Sequence, residues 1–311
     1  MPRTPITRRR AVTTALAAAA FVGVGALPAA ARPGGALPRT GGGQGDCADL
    51  EYQKRVSVRL QKALWQDGDT SLVDEFVSPT YIQHNPLAAD GPEVLKAIAT
   101  AVHQQFPDEK FNIVRVLSEG DLVVMHTHQV FVPGTPGRNV IDIVRFAHGK
   151  IAEHWDIIQD VPSTPSVGGH DMFATLSSPR TDQPGPQRLT ARSKRVVLEY
   201  VNRLARQDLS VLDDLLAPNV IQHNPNLPDG AKATKAVYAD HFKQFPELTF
   251  DLKRIVAEGD LVAVHAHLVD TPGALGQAVA EIFRVRDGKI IEHWDDFQDV
   301  PATSQNDNTM F

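Results

Sequence analysis

The fold of this 311-residue chain is decided by residues 110–160, KFNIVRVLSEGDLVVMHTHQVFVPGTPGRNVIDIVRFAHGKIAEHWDIIQD. Turns at Gly120 and Gly149 help to divide the stretch into four strand-like runs, at about 110–118, 121–132, 138–147 and 150–160. Three helical patterns precede it, around 56–64, 72–77 and 92–102. Helices followed by an antiparallel meander predict an α+β domain whose three N-terminal helices pack on a curved sheet.

The sequence contains two copies of this domain. Residues 81–162 return at 220–301, a constant 139 positions further on; Gln83-His84-Asn85-Pro86, for example, returns as Gln222-His223-Asn224-Pro225. The period is too long for a solenoid, whose units have about 20–50 residues, and fits two compact domains. We therefore predict a first domain at 47–173, a linker at 174–187 and a second domain at 188–311.

The N-terminus predicts export. Residues 1–10 are basic, 11–27 are apolar and rich in alanine, and 29–31 offer a small-residue cleavage site. We expect a signal peptide at 1–31, of the twin-arginine or general secretory type, and a disordered linker at 32–46. Cys47 is the only cysteine, so no intramolecular disulfide can form. The net charge of −6 would become more negative without the four arginines of 1–31, which disfavours nucleic acid and anionic membranes as partners.

One side of the last predicted strand carries an acid in each copy. Alternation along a strand places Asp156 on one side and Ile157 on the other. Position 157 becomes Asp296 in the second copy, which predicts that this side meets water and that Asp156 lies on the dry side. The preceding strand places Asp142 among apolar residues in the same way. The matching acids of the second copy are Asp295 and Glu281.

Two acids on adjacent inward faces predict a site for proton transfer. If Asp142 lies opposite Asp156 across the hairpin at Gly149, the side chains approach within about 5 Å. Burial and mutual repulsion would then raise the pKa of at least one acid. Such an acid can take a proton from a carbon beside a carbonyl group, and His126 and His128 on the neighbouring strand could donate to the developing enolate.

The other candidates are histidines that occur in both copies, and we expect them to contact a small-molecule ligand. They are His84, His126, His128 and His154 in the first copy and His223, His265, His267 and His293 in the second. Structural roles remain open: a turn for His84, packing for His154 and an internal salt bridge for Asp142. The His-x-His pairs could instead bind a metal with the acids. Trp155 and Trp294, on the outer side, are predicted to cover a domain–domain contact.

Several motifs occur in the same order in both copies. In the first copy they are Tyr81-Ile82-Gln83-His84-Asn85-Pro86, the Asp-x-x-Arg of 142–145, Gly149-Lys150-Ile151 and Glu153-His154-Trp155-Asp156. Together they resemble the SnoaL-like polyketide cyclase family, which belongs to the nuclear-transport-factor-2-like superfamily of cone-shaped α+β barrels. The resemblance covers both copies. It also implies dimerisation through the sheets, here as an intramolecular pseudo-dimer.

The resemblance implies intramolecular aldol condensation without a metal or organic cofactor, with Asp156 and Asp295 as the general acid/base. It also implies a histidine where this chain has Asp142 and Glu281, which changes the proton inventory of the site. The leading hypothesis is thus a secreted tandem protein that performs proton transfer on a small apolar carbonyl compound, by condensation, isomerisation or a lyase step. The alternatives are a non-catalytic binding module and a metal-dependent hydrolase using His126 and His128. We expect no stable membrane span.

Overall fold

The computed structural model describes residues 47–177 and 182–311. The predicted signal peptide and the linker at 32–46 lie outside these residues. In the first copy the elements are α1 (Cys47–Trp65), α2 (Val73–Phe76), β1 (Val77–Gln83), α3 (Pro92–Gln105), β2 (Lys110–Glu119), β3 (Leu122–Val130), β4 (Arg138–Ala147) and β5 (Lys150–Asp160). Among the described residues, no helix is long and apolar enough to cross a membrane.

The second copy repeats this order after a short 3-10 helix at Gln187–Leu189. Its elements are α4 (Thr190–Leu204), α5 (Ser210–Leu215), β6 (Leu216–Gln222), α6 (Ala231–Gln244), β7 (Thr249–Glu258), β8 (Leu261–Val269), β9 (Gln277–Arg286) and β10 (Lys289–Asp299). The predicted α+β class, with three helices before a mainly antiparallel sheet in each copy, is confirmed.

Each sheet has five strands, one more than the sequence predicts. The strand orders are β1-β5-β4-β3-β2 and β6-β10-β9-β8-β7. The additional strand, β1 or β6, pairs in parallel with the last strand of its copy. Pro79 and Pro218 lie within these two strands, each at the edge of its sheet, where a missing N–H is tolerated. Each sheet is an open five-stranded sheet and not a closed barrel.

The inner face of each sheet packs on the helices. In the first copy, Val56 and Leu60 of α1 join Met125 of β3 and Val144 of β4 in one apolar cluster. In the second, Val197 and Val201 of α4 occupy the same position. Because Met125 pairs with Asp142 across the sheet, the acids lie on this inner, helix-covered face.

The outer faces of the two sheets pack on each other. Trp155 and Trp294, at 1% and 0% exposure, lie in one apolar cluster with residues of β2 to β5 and β7 to β10. The guanidinium of Arg254 stacks 3.6 Å over Trp155, and that of Arg115 stacks 3.8 Å over Trp294. The prediction that this side meets water is wrong: Asp296 is fully buried, since the opposing sheet covers it.

Candidate active site

The strand register brings two acids together in each copy. Asp142 of β4 pairs directly with Asp156 of β5, and Glu281 of β9 pairs with Asp295 of β10. Asp142, Glu281 and Asp295 are buried, while Asp156 is partly exposed. The predicted juxtaposition is therefore correct, and it follows from the alternation of a strand and the short turn between β4 and β5.

One oxygen of each catalytic candidate is held by an asparagine. Asn85 donates its Nδ2–H to Asp156 Oδ2 at 2.8 Å, and Asn224 donates to Asp295 Oδ2 at 2.7 Å. The other oxygen, Oδ1, is buried in both copies and has no hydrogen-bond partner among the residues that the structure describes. Each carboxyl group is thus fixed through one oxygen and leaves the second able to accept a proton.

His154 stands beside both acids of the first copy. Its Nε2 lies 2.9 Å from Asp142 Oδ1, and its Nδ1 lies 2.9 Å from Oε1 of Gln83. An amide oxygen only accepts hydrogen bonds, so Nδ1 carries a proton and Nε2 faces the acids. The resemblance implies a histidine at position 142; the structure instead provides an imidazole from the next strand.

The second copy has the same arrangement with a longer acid. His293 Nδ1 lies 2.8 Å from Gln222 Oε1, and His293 Nε2 lies 3.5 Å from Glu281 Oε1 and 3.8 Å from Asp295 Oδ2. His293 and Asp295 are 3% and 2% exposed, whereas His154 and Asp156 are partly exposed. The first site is therefore the more accessible one.

Burial governs the ionisation of these groups. Burial raises the pKa of Asp156, with a further rise from Asp142, while His154 and the Asn85 amide oppose it. Burial likewise raises the pKa of Asp295 to about 6. For His154, burial acts downward, but the hydrogen bond to Asp142 and the charge of Asp156 outweigh it and raise the pKa. Each site therefore contains an aspartate whose protonated form is favoured by burial beside an imidazole that can exchange protons with it.

Two buried tyrosines, Tyr81 and Tyr200, and the partly buried Tyr238 accompany the acids, and they come from different elements in the two copies. Tyr81 of β1 serves the first site, where its hydroxyl accepts a hydrogen bond from Gln83 Nε2 at 3.1 Å. Tyr200 of α4 and Tyr238 of α6 serve the second. Burial and the nearby carboxylates raise the pKa of each phenol above its usual value. All three therefore remain hydrogen-bond donors, a role that we had assigned to histidines.

The prediction that His126, His128, His265 and His267 face the acids is wrong. His126 pairs with Ile141 and thus lies on the outer face of the sheet, opposite to Asp142. It accepts from Arg115 through Nδ1 at 2.6 Å, and burial together with Arg115 lowers the pKa of the ring well below its usual value. Burial and Arg254 lower the pKa of His265 to about 3 in the same way.

His84 and His223 also lie away from the acids. Their rings stack on Trp155 and Trp294, with centroids 4.6 and 5.0 Å apart, on the outer side of each sheet. His84 Nε2 lies 2.9 Å from Glu153 Oε1, and the same contact joins His223 to Glu292. Of the eight predicted histidines, the structure brings only His154 and His293 to the acids.

The three side chains of the first site could hold a cation. Single ligand atoms from Asp142, His154 and Asp156 lie within 4.8 Å of one another. Asp142 Oδ2 and Asp156 Oδ1 are buried without a hydrogen-bond partner among the described residues, and the Gln83 contact leaves His154 Nε2 on the acid side. The donor set thus suits a divalent cation that accepts nitrogen and oxygen ligands.

Sequence reasoning missed the asparagines, glutamines and tyrosines of the site. Gln83 and Asn85 belong to the repeated Gln-His-Asn-Pro motif. Both are neighbours of His84 in the sequence, so alternation along an extended chain places their side chains on the side opposite to that of His84. No comparable signal existed for the tyrosines, since Tyr81 becomes Val220, Tyr238 replaces Ala99, and Tyr200 lies before the repeated stretch.

The sequence matches two related family models. Residues 55–165 match the SnoaL-like polyketide cyclase model, and residues 197–293 match the SnoaL-like domain model. The two matches together cover more than half of the chain, which belongs to the SnoaL-like family as two tandem domains. No match was found among curated proteins.

Solved structures that resemble one copy include three bacterial proteins. IdmH, a putative polyketide cyclase from Streptomyces antibioticus, is 24% identical over 34% of this chain and 91% of its own, with a TM-score of 0.30. AclR, a putative hydroxylase from Streptomyces galilaeus, is 26% identical over 35% of this chain and 90% of its own, with a TM-score of 0.31. A putative ketosteroid isomerase from Kribbella flavida is 18% identical over 36% and 82%, with a TM-score of 0.32.

Proposed function

We propose that this protein is an exported enzyme with two sites, each of which transfers a proton on a small, largely apolar carbonyl compound. Asp156 and Asp295 are the general acid/base. Asp142 and Glu281 tune them together with His154 and His293. The observation that carries the proposal is the free Oδ1 of each aspartate, buried beside a second acid while Oδ2 is held by an asparagine.

The reaction begins when Oδ1 removes a proton from the carbon beside the carbonyl group. The C–H bonding electrons move to the carbonyl oxygen, and the enolate oxygen accepts a hydrogen bond from a buried tyrosine. Those donors are Tyr81 in the first site and Tyr200 or Tyr238 in the second, because each has a raised pKa and keeps its proton.

The protonated aspartate then returns its proton. In an isomerisation the proton goes to another carbon of the enolate. In an aldol condensation the enolate carbon forms a bond to a second carbonyl carbon, and the resulting alkoxide takes the proton from the aspartate. Either course ends with the carboxylate restored, so neither consumes an oxidant or a cofactor.

The test is the exchange of hydrogen for deuterium beside the carbonyl group of small ketones and 1,3-dicarbonyl compounds in heavy water, followed by proton NMR. We expect Asp156→Asn with Asp295→Asn to slow the enzyme-dependent exchange by about 100-fold or more. Asp296→Asn is the matched control, because Asp296 is buried on the opposite side of the same strand as Asp295. Unchanged exchange in the double variant would contradict the assignment of Asp156 and Asp295, and the absence of enzyme-dependent exchange in the wild type would favour the binding-module alternative.

A divalent cation site is a second candidate, favoured by the converging ligand atoms of Asp142, His154 and Asp156. Calorimetric titration with Zn²⁺ and with Mn²⁺ tests it, and Asp142→Asn should abolish the binding. His128→Asn is the control, since His128 lies on the outer side of the sheet with its Nε2 2.8 Å from the carbonyl oxygen of Pro136. Heat release that is the same in the wild type and in Asp142→Asn would contradict this candidate.

We also propose that the two copies pair within one chain as a pseudo-dimer. The apolar cluster around Trp155 and Trp294 supports this arrangement, as do reciprocal hydrogen bonds from Ile158 N to Gln298 and from Phe297 N to Gln159, both 2.9 Å long. Export remains a proposal based on residues 1–31. N-terminal sequencing of protein recovered outside the cytoplasm tests it, and an intact Met1 would contradict it.

A further inference from the structure

Each copy ends in an arm that reaches the site-bearing loop of the other copy. The first arm is residues 166–173 and the second arm is residues 304–311. The first loop is residues 83–91, between β1 and α3, and the second loop is residues 222–230. The arms cross between copies, so that the second arm lies on the first loop and the first arm lies on the second loop.

The second arm binds the backbone of the first loop at several points. Asn306 donates its Nδ2–H groups to the carbonyl oxygens of Asn85, at 2.8 Å, and Ala88, at 2.7 Å. Asn308 donates to the carbonyl oxygen of Gln83 at 2.9 Å, and the backbone N–H of Gln305 donates to that of Pro86 at 2.8 Å. The arm thus holds the backbone of the loop on both sides of Asn85.

Asn85 is also the residue whose amide holds Asp156. Its backbone oxygen accepts from Asn306, and its side-chain Nδ2 donates to Asp156 Oδ2 at 2.8 Å. A shift of the Asn85 backbone would disturb the second contact, because the same residue carries both groups. Asn306 of the second copy is therefore linked to Asp156 of the first through a single intervening residue.

The first arm makes fewer contacts of this kind. Its Val167 N–H donates to the carbonyl oxygen of Pro225 at 2.9 Å, and His170 Nε2 lies 2.8 Å from Asp229 Oδ2. The carbonyl oxygen of Asp171 faces His223 Nδ1, as that of Thr309 faces His84 Nδ1. Gly168 occupies the position of Asn306 and has no side chain that could reach Asn224.

We propose that Asn306 is a positioning residue of the first site, holding Asn85 so that its amide remains on Asp156. The second copy then completes the site of the first, whereas the first arm makes no equivalent side-chain contact with Asn224. The inference rests on the proposed function, because it matters for activity only if Asp156 transfers protons. The arms also account for the histidines that recur on the outer side of each sheet. The rings of His84 and His223 contact backbone oxygens of the arms. The rings of His128 and His267 pack on Phe173 and Phe311, the last residues of the arms.

The test compares the full chain with Asn306→Gly, which gives the second arm the residue that the first arm has at Gly168. Carbon-13 NMR titration of the aspartate carboxyl groups reports Asp156 and Asp295 separately. Since the Asn85 hydrogen bond lowers the pKa of Asp156, we expect this pKa to rise in the variant while that of Asp295 stays unchanged. His170→Ala, on the first arm, is the reciprocal control and should leave Asp156 unaffected.

Two further variants make the result decisive. Asn85→Ala removes the amide itself and should raise the pKa of Asp156 at least as far as Asn306→Gly does. Asn306→Ser, a milder change, should give a shift in the same direction if the glycine variant is poorly folded. The proposal is overturned if Asn85→Ala shifts Asp156 and the Asn306 variants do not, or if Asp156 and Asp295 shift equally. Neither result touches the proposed function, which fails only if the Asp156→Asn and Asp295→Asn exchange test fails.

Discussion

Asp295 shows how a single buried residue sets a pH dependence. Its pKa of about 6 means that the carboxylate needed as a base forms only as the pH rises through that value. In the Asp156→Asn variant only the second site is active. The rate of hydrogen–deuterium exchange should therefore increase with pH around a midpoint near 6. Adding Asn224→Ala removes a hydrogen bond that lowers this pKa, so the midpoint should move upward. A profile that is flat between pH 5 and 8 would contradict the assignment.

Glu109 is a buried acid that the second copy lacks. It is 6% exposed, Gln129 donates to its Oε1 at 2.6 Å, and the equivalent positions of the second copy are Leu248 and Leu268. Burial raises the pKa of Glu109 to about 7 from its ordinary value of 4.5. The stability contributed by the protonated form is complete below pH 4.5 and is lost as the pH rises through 7.

The expected consequence is measurable by denaturant unfolding at several pH values. Glu109→Gln keeps the shape and cannot ionise, so its free energy of unfolding should exceed that of the wild type by about 3 kcal/mol at pH 8. At pH 4 the two proteins should be equally stable. If the difference in free energy of unfolding between the two proteins were the same at pH 4 and pH 8, ionisation of Glu109 would not destabilise the protein.

At the scale of elements, the loop between β3 and β4 contains two glycines that differ in the space available for a side chain. Gly134 and Gly137 both have positive φ, at 87° and 78°. A Cβ at Gly137 would lie 2.3 Å from the carbonyl oxygen of Gln129, whereas a Cβ at Gly134 would meet nothing within 4 Å. The equivalent glycines, Gly276 and Gly273, show the same contrast in the second copy.

Thermal or denaturant unfolding should separate the two positions. Gly134→Ala should cost about 1 kcal/mol, because only the left-handed backbone conformation opposes it. Gly137→Ala should cost about 3 kcal/mol, since the hairpin must also open to relieve the backbone clash. Equal losses of unfolding free energy at the two positions would mean that the strands move apart at Gly137 without loss of stability.

Strands β3 to β5 show which features alternation in the sequence predicts and which it does not. Alternation correctly placed Asp142 and Asp156 on one face, because the β4–β5 turn is short and the register follows from it. It did not place His126, since both faces of the sheet are buried and β3 has apolar residues on each, Val124 outward and Met125 inward. Without a polar side, the period of a strand does not tell which face meets the helices.

At the scale of the whole molecule, the contact between the sheets is not symmetric. Asp296 of the second copy is buried where the first has Ile157, and Asn139 of the first occupies the position of Ala278. Burial raises the pKa of Asp296 well above its usual value, and the Asn139 amide opposes this rise. Asn139 is a polar neighbour of Asp296 but not a hydrogen-bond partner, since neither Asp296 carboxylate oxygen has such a partner among the described residues.

Separated halves test this preference. We expect residues 47–177 and 188–311, produced as two chains, to associate one to one, and residues 188–311 alone to form no stable homodimer. Two copies of Asp296 would then face Ala278 and lose the polar neighbour Asn139 that favours their charged form, at a cost of several kcal/mol. Asp296→Ile should restore self-association of the second half, measured by analytical ultracentrifugation. A stable homodimer of the unmodified second half would contradict the expected asymmetry.

The amino-acid sequence by itself determined the number of domains, their α+β class and the adjacent acids, because these features depend on local periodicity and on a repeat with a constant offset. Only the tertiary structure decided which histidines meet the acids, which elements bring the tyrosines and where the arms lie. Those features depend on contacts between residues far apart in the chain, such as Asn306 with Asn85 and Arg254 with Trp155. Their physical reason is the packing of one sheet on another, which buries both faces and lets distant segments satisfy each other's polar groups.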